Sequence, residues 1–123
     1  MNVGFPNEYD RAQQWTGGSI MIHGNCGSRG CFAMTDRKIE EIYTLVAEAL
    51  KNGQTSVPIH IYPFKMTEAN LSRYGNSPWF PFWANLKEGY DFFQANRIPP
   101  EVVVLNNRYA IIKPSSDIPS YLR

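Results

Sequence analysis

The stretch Ser19-Ile20-Met21-Ile22-His23-Gly24-Asn25-Cys26-Gly27-Ser28-Arg29-Gly30-Cys31-Phe32-Ala33-Met34-Thr35-Asp36 passes from a strand, through a glycine-rich loop, to the start of a helix. Ser19–His23 is short and apolar and follows the turn pair Gly17-Gly18, which reads as a strand. From Gly24 to Gly30 there are three glycines, a backbone free to take positive φ and tight turns. Thr35 or Asp36 is placed to cap a helix, and Glu40 and Glu41 lie toward the positive end of its dipole. Ile39, Ile42, Tyr43, Val46 and Leu50 recur at helical spacing and predict one apolar face. Asn52-Gly53 is the expected stop, since Gly readily turns left-handed just past a helix.

Downstream, Val57, Ile59 and Ile61 alternate with Pro58, His60 and Tyr62, which reads as a strand. Pro58 lacks a ladder donor and belongs at its start or at an edge. His60 falls on that strand as a surface or boundary histidine or, on the sharper reading, as one that approaches the site from a neighbouring strand. Thr67 predicts a capped short helix through about Tyr74. Trp79-Phe80-Pro81-Phe82-Trp83 leads into a second long helix, roughly 82–95, with Phe82, Leu86, Tyr90 and Phe93 as a bulky stripe. Ile98-Pro99-Pro100 ends it. Val102–Leu105, Asn106-Asn107 and Tyr109–Ile112 then read as a hairpin, because Asn tolerates the positive φ of a two-residue turn. The tail 113–123 is expected to be loosely held. Before Ser19 the chain is Gly-rich and polar, and no element is expected there. The fold class is α+β: a small mixed or antiparallel sheet with two main helices, in one domain spanning 1–123.

Composition narrows the function. With 123 residues the chain is the size of one domain, and 43% apolar residues with 7 Phe, 7 Tyr and 3 Trp argue for a folded core. Twelve basic against eleven acidic residues leave +1, scattered along the chain, which is no footprint for nucleic acid. No apolar run is long enough to span a bilayer. Met1–Pro6 carries no basic segment followed by an apolar stretch, so no export signal is legible.

Sulfur nucleophilic catalysis needs a thiolate, a base and donors for an oxyanion, and the quoted loop offers each. Cys31 lies two residues from Arg29 and just ahead of a helix start, two positive influences on its sulfur. His23 can fold back across the loop as general base. The backbone N–H groups around Arg29, Gly30 and Cys31 can receive the negative charge of a tetrahedral intermediate, with Gly30 permitting the turn. Three plainer readings compete: a loop that merely connects, a Cys26–Cys31 disulfide, or a metal site. His23, Cys26 and Cys31 have the spacing His-x2-Cys-x4-Cys, but structural zinc wants four ligands and His60 is the only other histidine. Gly24, Gly27 and Gly30 fall three apart with no P-loop lysine, so phosphate binding is not indicated. No metal and no organic cofactor is expected. Cys26 reads as packing in the turn, or as a resolving partner for Cys31. Trp79 and Trp83 read as core aromatics or, on the sharper reading, as the lining of a substrate groove.

The string His23-Gly24-Asn25-Cys26 … Ser28-Arg29-Gly30-Cys31-Phe32-Ala33-Met34 resembles the signature of the L,D-transpeptidase (YkuD-like) family, and most of all its YafK-like branch of murein L,D-transpeptidases. Asn2–Ala12, Lys38–Tyr43, Pro63–Met66 and Pro81–Tyr90 resemble further segments of that branch. The resemblance implies a YkuD-type β-rich sheet, here lacking its N-terminal strands, and a periplasmic or cell-envelope enzyme acting on peptidoglycan stem peptides. It implies Cys31 as nucleophile, His23 as base, Gly24 as the backbone that orients the imidazole, and Arg29, Gly30 and Cys31 at the oxyanion hole, with Ser28 supporting the turn. Acyl transfer from the resulting thioester goes to an amine in a transpeptidase and to water in an amidase or peptidase. A non-catalytic peptidoglycan-binding remnant is the third reading. Many members carry a histidine where this chain has Arg29 and an arginine where it has Ala33, so Arg29 is expected to take over part of substrate orientation. A sheet without its outer strands also predicts self-association through exposed edges.

Overall fold

The computed structural model describes residues 1–112; the tail 113–123 lies outside the described residues. The chain falls into two compact units, Met1–His60 and a second that opens at Ile61.

In the first unit, α1 (Glu8–Ala12) is a helix the sequence reading did not anticipate. Asn7 and Asp10 form a reciprocal capping box: the Asn7 side chain accepts from the Asp10 N–H, and the Asp10 carboxylate accepts from the Asn7 N–H. Strand β1 (Ile22–His23) ends where expected but starts later than the expected Ser19, because Met21 takes part only in an isolated bridge. It pairs in parallel with β2 (Phe32–Ala33), Ile22 opposite Phe32 and His23 opposite Ala33. On its other flank a single antiparallel bridge joins Met21 to Asn2, and the Ile22 N–H donates to the Met1 carbonyl.

Helix α2 (Asp36–Lys51) runs over nearly the expected span and ends as expected, with Gly53 at φ +95°. Its start differs. Thr35 occupies the N-cap position at φ +65° and its side chain makes no capping bond, while Asp36, the other expected cap, is the first helical residue. The apolar face is also less covered than its periodicity implies. Ile39, Ile42 and Val46 are half-buried, but Tyr43 and Leu50 are exposed, and no residue of α2 is fully buried. Val57–Tyr62 forms no strand. Pro58 withholds one ladder donor, and among the described residues no strand pairs with this segment.

In the second unit, Thr67 accepts from the Asn70 N–H and caps α3 (Glu68–Ser72). Helix α4 (Phe80–Asn96) has Pro81 in its first turn and ends on Arg97 in the left-handed region. Then β3 (Glu101–Leu105) and β4 (Arg108–Ile112) pair antiparallel, Leu105 opposite Arg108, around Asn106 and Asn107 at φ +51° and +58°. These are the two positive φ values that such a hairpin requires. The class is α+β, but among the described residues the four strands form two separate pairs, one parallel and one antiparallel, where a single sheet was expected.

The fully buried line of α4 lies beside the bulky stripe, of which Phe82, Leu86 and Tyr90 are half-buried. Asn85 and Gly89 are its buried residues, one turn apart, whereas Phe93 is exposed. Gly89 faces the hairpin so closely that a Cβ there would sit 3.3 Å from Ile111 Cδ1. Asn85 acts as a strand partner for β4: its Nδ2 donates to the Tyr109 carbonyl (2.8 Å) and its Oδ1 accepts from the Tyr109 N–H (2.9 Å). Replacing Asn85 by Ala strands both groups. Urea unfolding is expected to show a loss of about 2 kcal/mol, and a change below about 0.5 kcal/mol would refute the role.

Alkali should loosen both units. Burial, aided by Asp10, raises the Tyr9 phenol, and burial, aided by Tyr90 and Asp91, raises Tyr62. A hydrogen bond to Asp91 raises Lys87, which also pairs with Glu68 at 3.0 Å. All three folded values lie above the unfolded ones, so their stabilisation is complete below those and is lost as pH climbs through the folded values. The urea midpoint should therefore hold from pH 7 to the ordinary tyrosine and lysine values of 10.0 and 10.5 and fall beyond them, with a shallower fall in Tyr62→Phe.

Candidate active site

The loop between β1 and β2 joins two neighbouring parallel strands without a helix. Parallel pairs usually need a crossover of about a dozen or more residues, and here residues 24–31 suffice. The economy rests on backbone shapes that few side chains permit: Asn25 at φ +64° opens the loop and Gly30 at φ +91° closes it. Cys31 follows at once and is half-buried, while Cys26, Ser28, Arg29 and Gly30 are exposed.

Register sets the relation of Cys31 to His23. His23 lies opposite Ala33 and Ile22 opposite Phe32, and Cys31 is the residue that immediately precedes β2. The half-buried His23 ring is fixed by one short contact, Nδ1 to the Gly24 carbonyl oxygen at 2.6 Å. A carbonyl only accepts, so Nδ1 is the donor in this contact, and in the neutral ring Nε2 is the nitrogen with the free lone pair.

The turn that carries His23 is riveted to the entry of α2. The Met34 N–H donates to the His23 carbonyl (2.9 Å), the Thr35 N–H to the Asn25 carbonyl (2.8 Å), and the Asn25 N–H to Asp36 Oδ1 (2.7 Å). Gly24 sits under this clamp. A Cβ there would collide with Asp36 Oδ1 and press within 3.2 Å of Ile39 Cγ2, so no larger residue fits without a shift. On the far limb, the N–H groups of Arg29, Gly30 and Cys31 meet no acceptor among the described residues.

Both cysteines are free thiols. Among the described residues no three of His, Cys, Asp and Glu converge in a way that could hold a metal. His60 is exposed. Trp79 and Trp83 belong to the second unit. Trp79 precedes α4 and is 52% exposed, whereas Trp83 packs edge-on against Phe64 (5.3 Å) and Tyr74 (5.6 Å), which stack on each other. Asp36 and Asn25 were not singled out from sequence as parts of the site. Asp36 read as a cap for its own helix, and only its contact across the turn shows otherwise.

No family model matches the chain. It is 52% identical over 116 residues, 94% of its length, to proteins of Escherichia coli strain K12 and of Escherichia coli O157:H7, each bearing the provisional name L,D-transpeptidase YafK. The alignment takes in 47% of each, so the chain spans about half the length of the curated relatives it matches. At that identity, nearly all of the chain is similar to one half of the YafK-like L,D-transpeptidases.

Proposed function

We propose that the chain carries the nucleophilic site of a cysteine acyltransferase of the cell envelope that acts on peptidoglycan stem peptides. What supports this reading is His23 on β1 and Cys31 immediately before β2, its parallel partner, with Nδ1 of His23 tied to the Gly24 carbonyl. The 52% identity to proteins named for L,D-transpeptidases supplies the substrate class.

In this mechanism His23 Nε2 takes the proton of the Cys31 thiol, and Sγ attacks the carbonyl carbon of an L,D amide bond. The oxygen gains negative charge and is received by the N–H groups of Arg29, Gly30 and Cys31; one such donor is typically worth about 100- to 1,000-fold in rate. Collapse breaks the C–N bond, the imidazolium returns its proton to the departing amine, and a thioester remains on Cys31. An acceptor amine, deprotonated by the same Nε2, or a water molecule then releases the acyl group. Ser28 supports the turn and the exposed Arg29 guanidinium meets the substrate carboxylate. A YkuD-type sheet is the frame this reading expects around the site.

Incubating the chain with isolated muropeptides and weighing the intact protein tests the reading. Wild type should gain the mass of the acyl donor on Cys31, hydroxylamine should remove it, and Cys31→Ala should gain nothing. His23→Gln should acylate about 100- to 10,000-fold more slowly. Product masses separate amine from water as acceptor. An adduct that persists in Cys31→Ala, or wild-type protein that never acylates, would refute the proposal and leave a non-catalytic domain.

A further inference from the structure

We propose that Asp36 is the positioning residue of the His23 imidazole, acting through the single peptide group between Gly24 and Asn25. The Gly24 carbonyl, which accepts from His23 Nδ1–H at 2.6 Å, and the Asn25 N–H, which donates to Asp36 Oδ1 at 2.7 Å, are the two ends of that one peptide. The unit is planar, so fixing its N–H end fixes the direction of its carbonyl. A carboxylate on the N–H end also polarises the group and strengthens the carbonyl as an acceptor, as chained hydrogen bonds do. The sequence carboxylate, peptide, imidazole does what a carboxylate does when it binds a histidine directly: it selects the Nδ1–H tautomer and holds the ring.

Three further features fit this role. Asp36 is the first residue of the 16-residue helix α2, so its backbone is anchored. The Thr35 N–H bond to the Asn25 carbonyl closes the ring on the other side. Gly24 has no Cβ in the one place where a Cβ would push Asp36 Oδ1 off the peptide. Asp36 does not touch the reacting atoms, and the catalytic consequence of its role rests on the reading of His23 as base.

The test uses the whole chain in three forms: wild type, Asp36→Ala and Asp36→Asn. Nitrogen-15 NMR of the His23 ring reports the tautomer directly, without substrate. Wild type should hold the Nδ1–H form. Asp36→Ala should shift toward the Nε2–H form, and Asp36→Asn, which keeps an acceptor oxygen in the same place, should restore Nδ1–H. A residue that merely caps α2 would change the melting temperature in both variants and leave the tautomer unmoved. On muropeptides, Asp36→Ala should lower kcat about 10- to 100-fold with KM little changed, the scale of a misplaced catalytic group, and Asp36→Asn should recover most of it. An unchanged tautomer in Asp36→Ala, or an Asn variant that follows the Ala variant, would overturn the proposal. If the tautomer responds as described while no form acylates, the positioning role stands and the acyl-transfer reading falls.

Discussion

One planar peptide, between Gly24 and Asn25, is gripped at both ends, by an imidazole on its carbonyl and a carboxylate on its N–H. The geometry of the candidate site follows from that grip. The His23 ring cannot rotate about χ1 without giving up a 2.6 Å contact, and the turn cannot lift from α2 without stranding the Asn25 N–H. Because the peptide passes beneath Asp36 and Ile39, residue 24 has no room for a side chain, and glycine there answers to packing rather than to φ. Gly30 is the opposite case. A Cβ there would meet nothing within 4 Å, yet its φ of +91° excludes most side chains on backbone grounds alone.

The same grip explains how a parallel strand pair survives with two residues per strand. Two short strands make too few ladder bonds to persist alone. Here the ladder is extended by the Met34 and Thr35 N–H groups, which donate to the His23 and Asn25 carbonyls, so the connection into α2 continues the pairing past β2. Helix, loop and strand pair are therefore one cooperative piece. The cost of the loop's left-handed residues is offset by bonds that form only when α2 is in place. In the proposed acyl-transfer mechanism this matters, because the N–H groups assigned to the oxyanion there must be oriented before charge develops on the substrate oxygen.

Much of this was legible in sequence because it repeats or punctuates. The long helices showed their 3.6 period or their flanking Gly and Pro. Asn106-Asn107 announced a hairpin, and the loop announced itself by three glycines around a histidine and a cysteine. The failures share a cause. Val57, Ile59 and Ile61 alternate as a strand should, but alternation describes which side chains face one way and supplies no pairing partner. The stripe Phe82, Leu86, Tyr90 and Phe93 marks the bulky side of α4, while the side that meets the hairpin most closely is Asn85 and Gly89. Helix α1 rests on a capping box within a polar stretch that carries no apolar period.

Asp36 and Asn85 show why a site can be recognisable while its support is not. Each is a polar side chain that takes the place of a backbone partner: Asp36 accepts the N–H of a turn, and Asn85 satisfies both the N–H and the carbonyl of Tyr109. In each case a glycine marks the close approach, Gly24 against Asp36 and Gly89 against Ile111. Such ties are single events, with no period to detect and no fixed spacing between the partners, 11 residues apart in one case and 24 in the other. A motif displays the groups that perform chemistry, since reaction geometry restricts their types and spacing. The groups that hold them are restricted only in space, so any residue with an acceptor at the right point serves, and Asp36 looks in sequence like an ordinary helix start. A close-packed glycine beside a candidate histidine is thus a usable signal in its own right, and the residue to look for is the one whose side chain would be displaced by a methyl group.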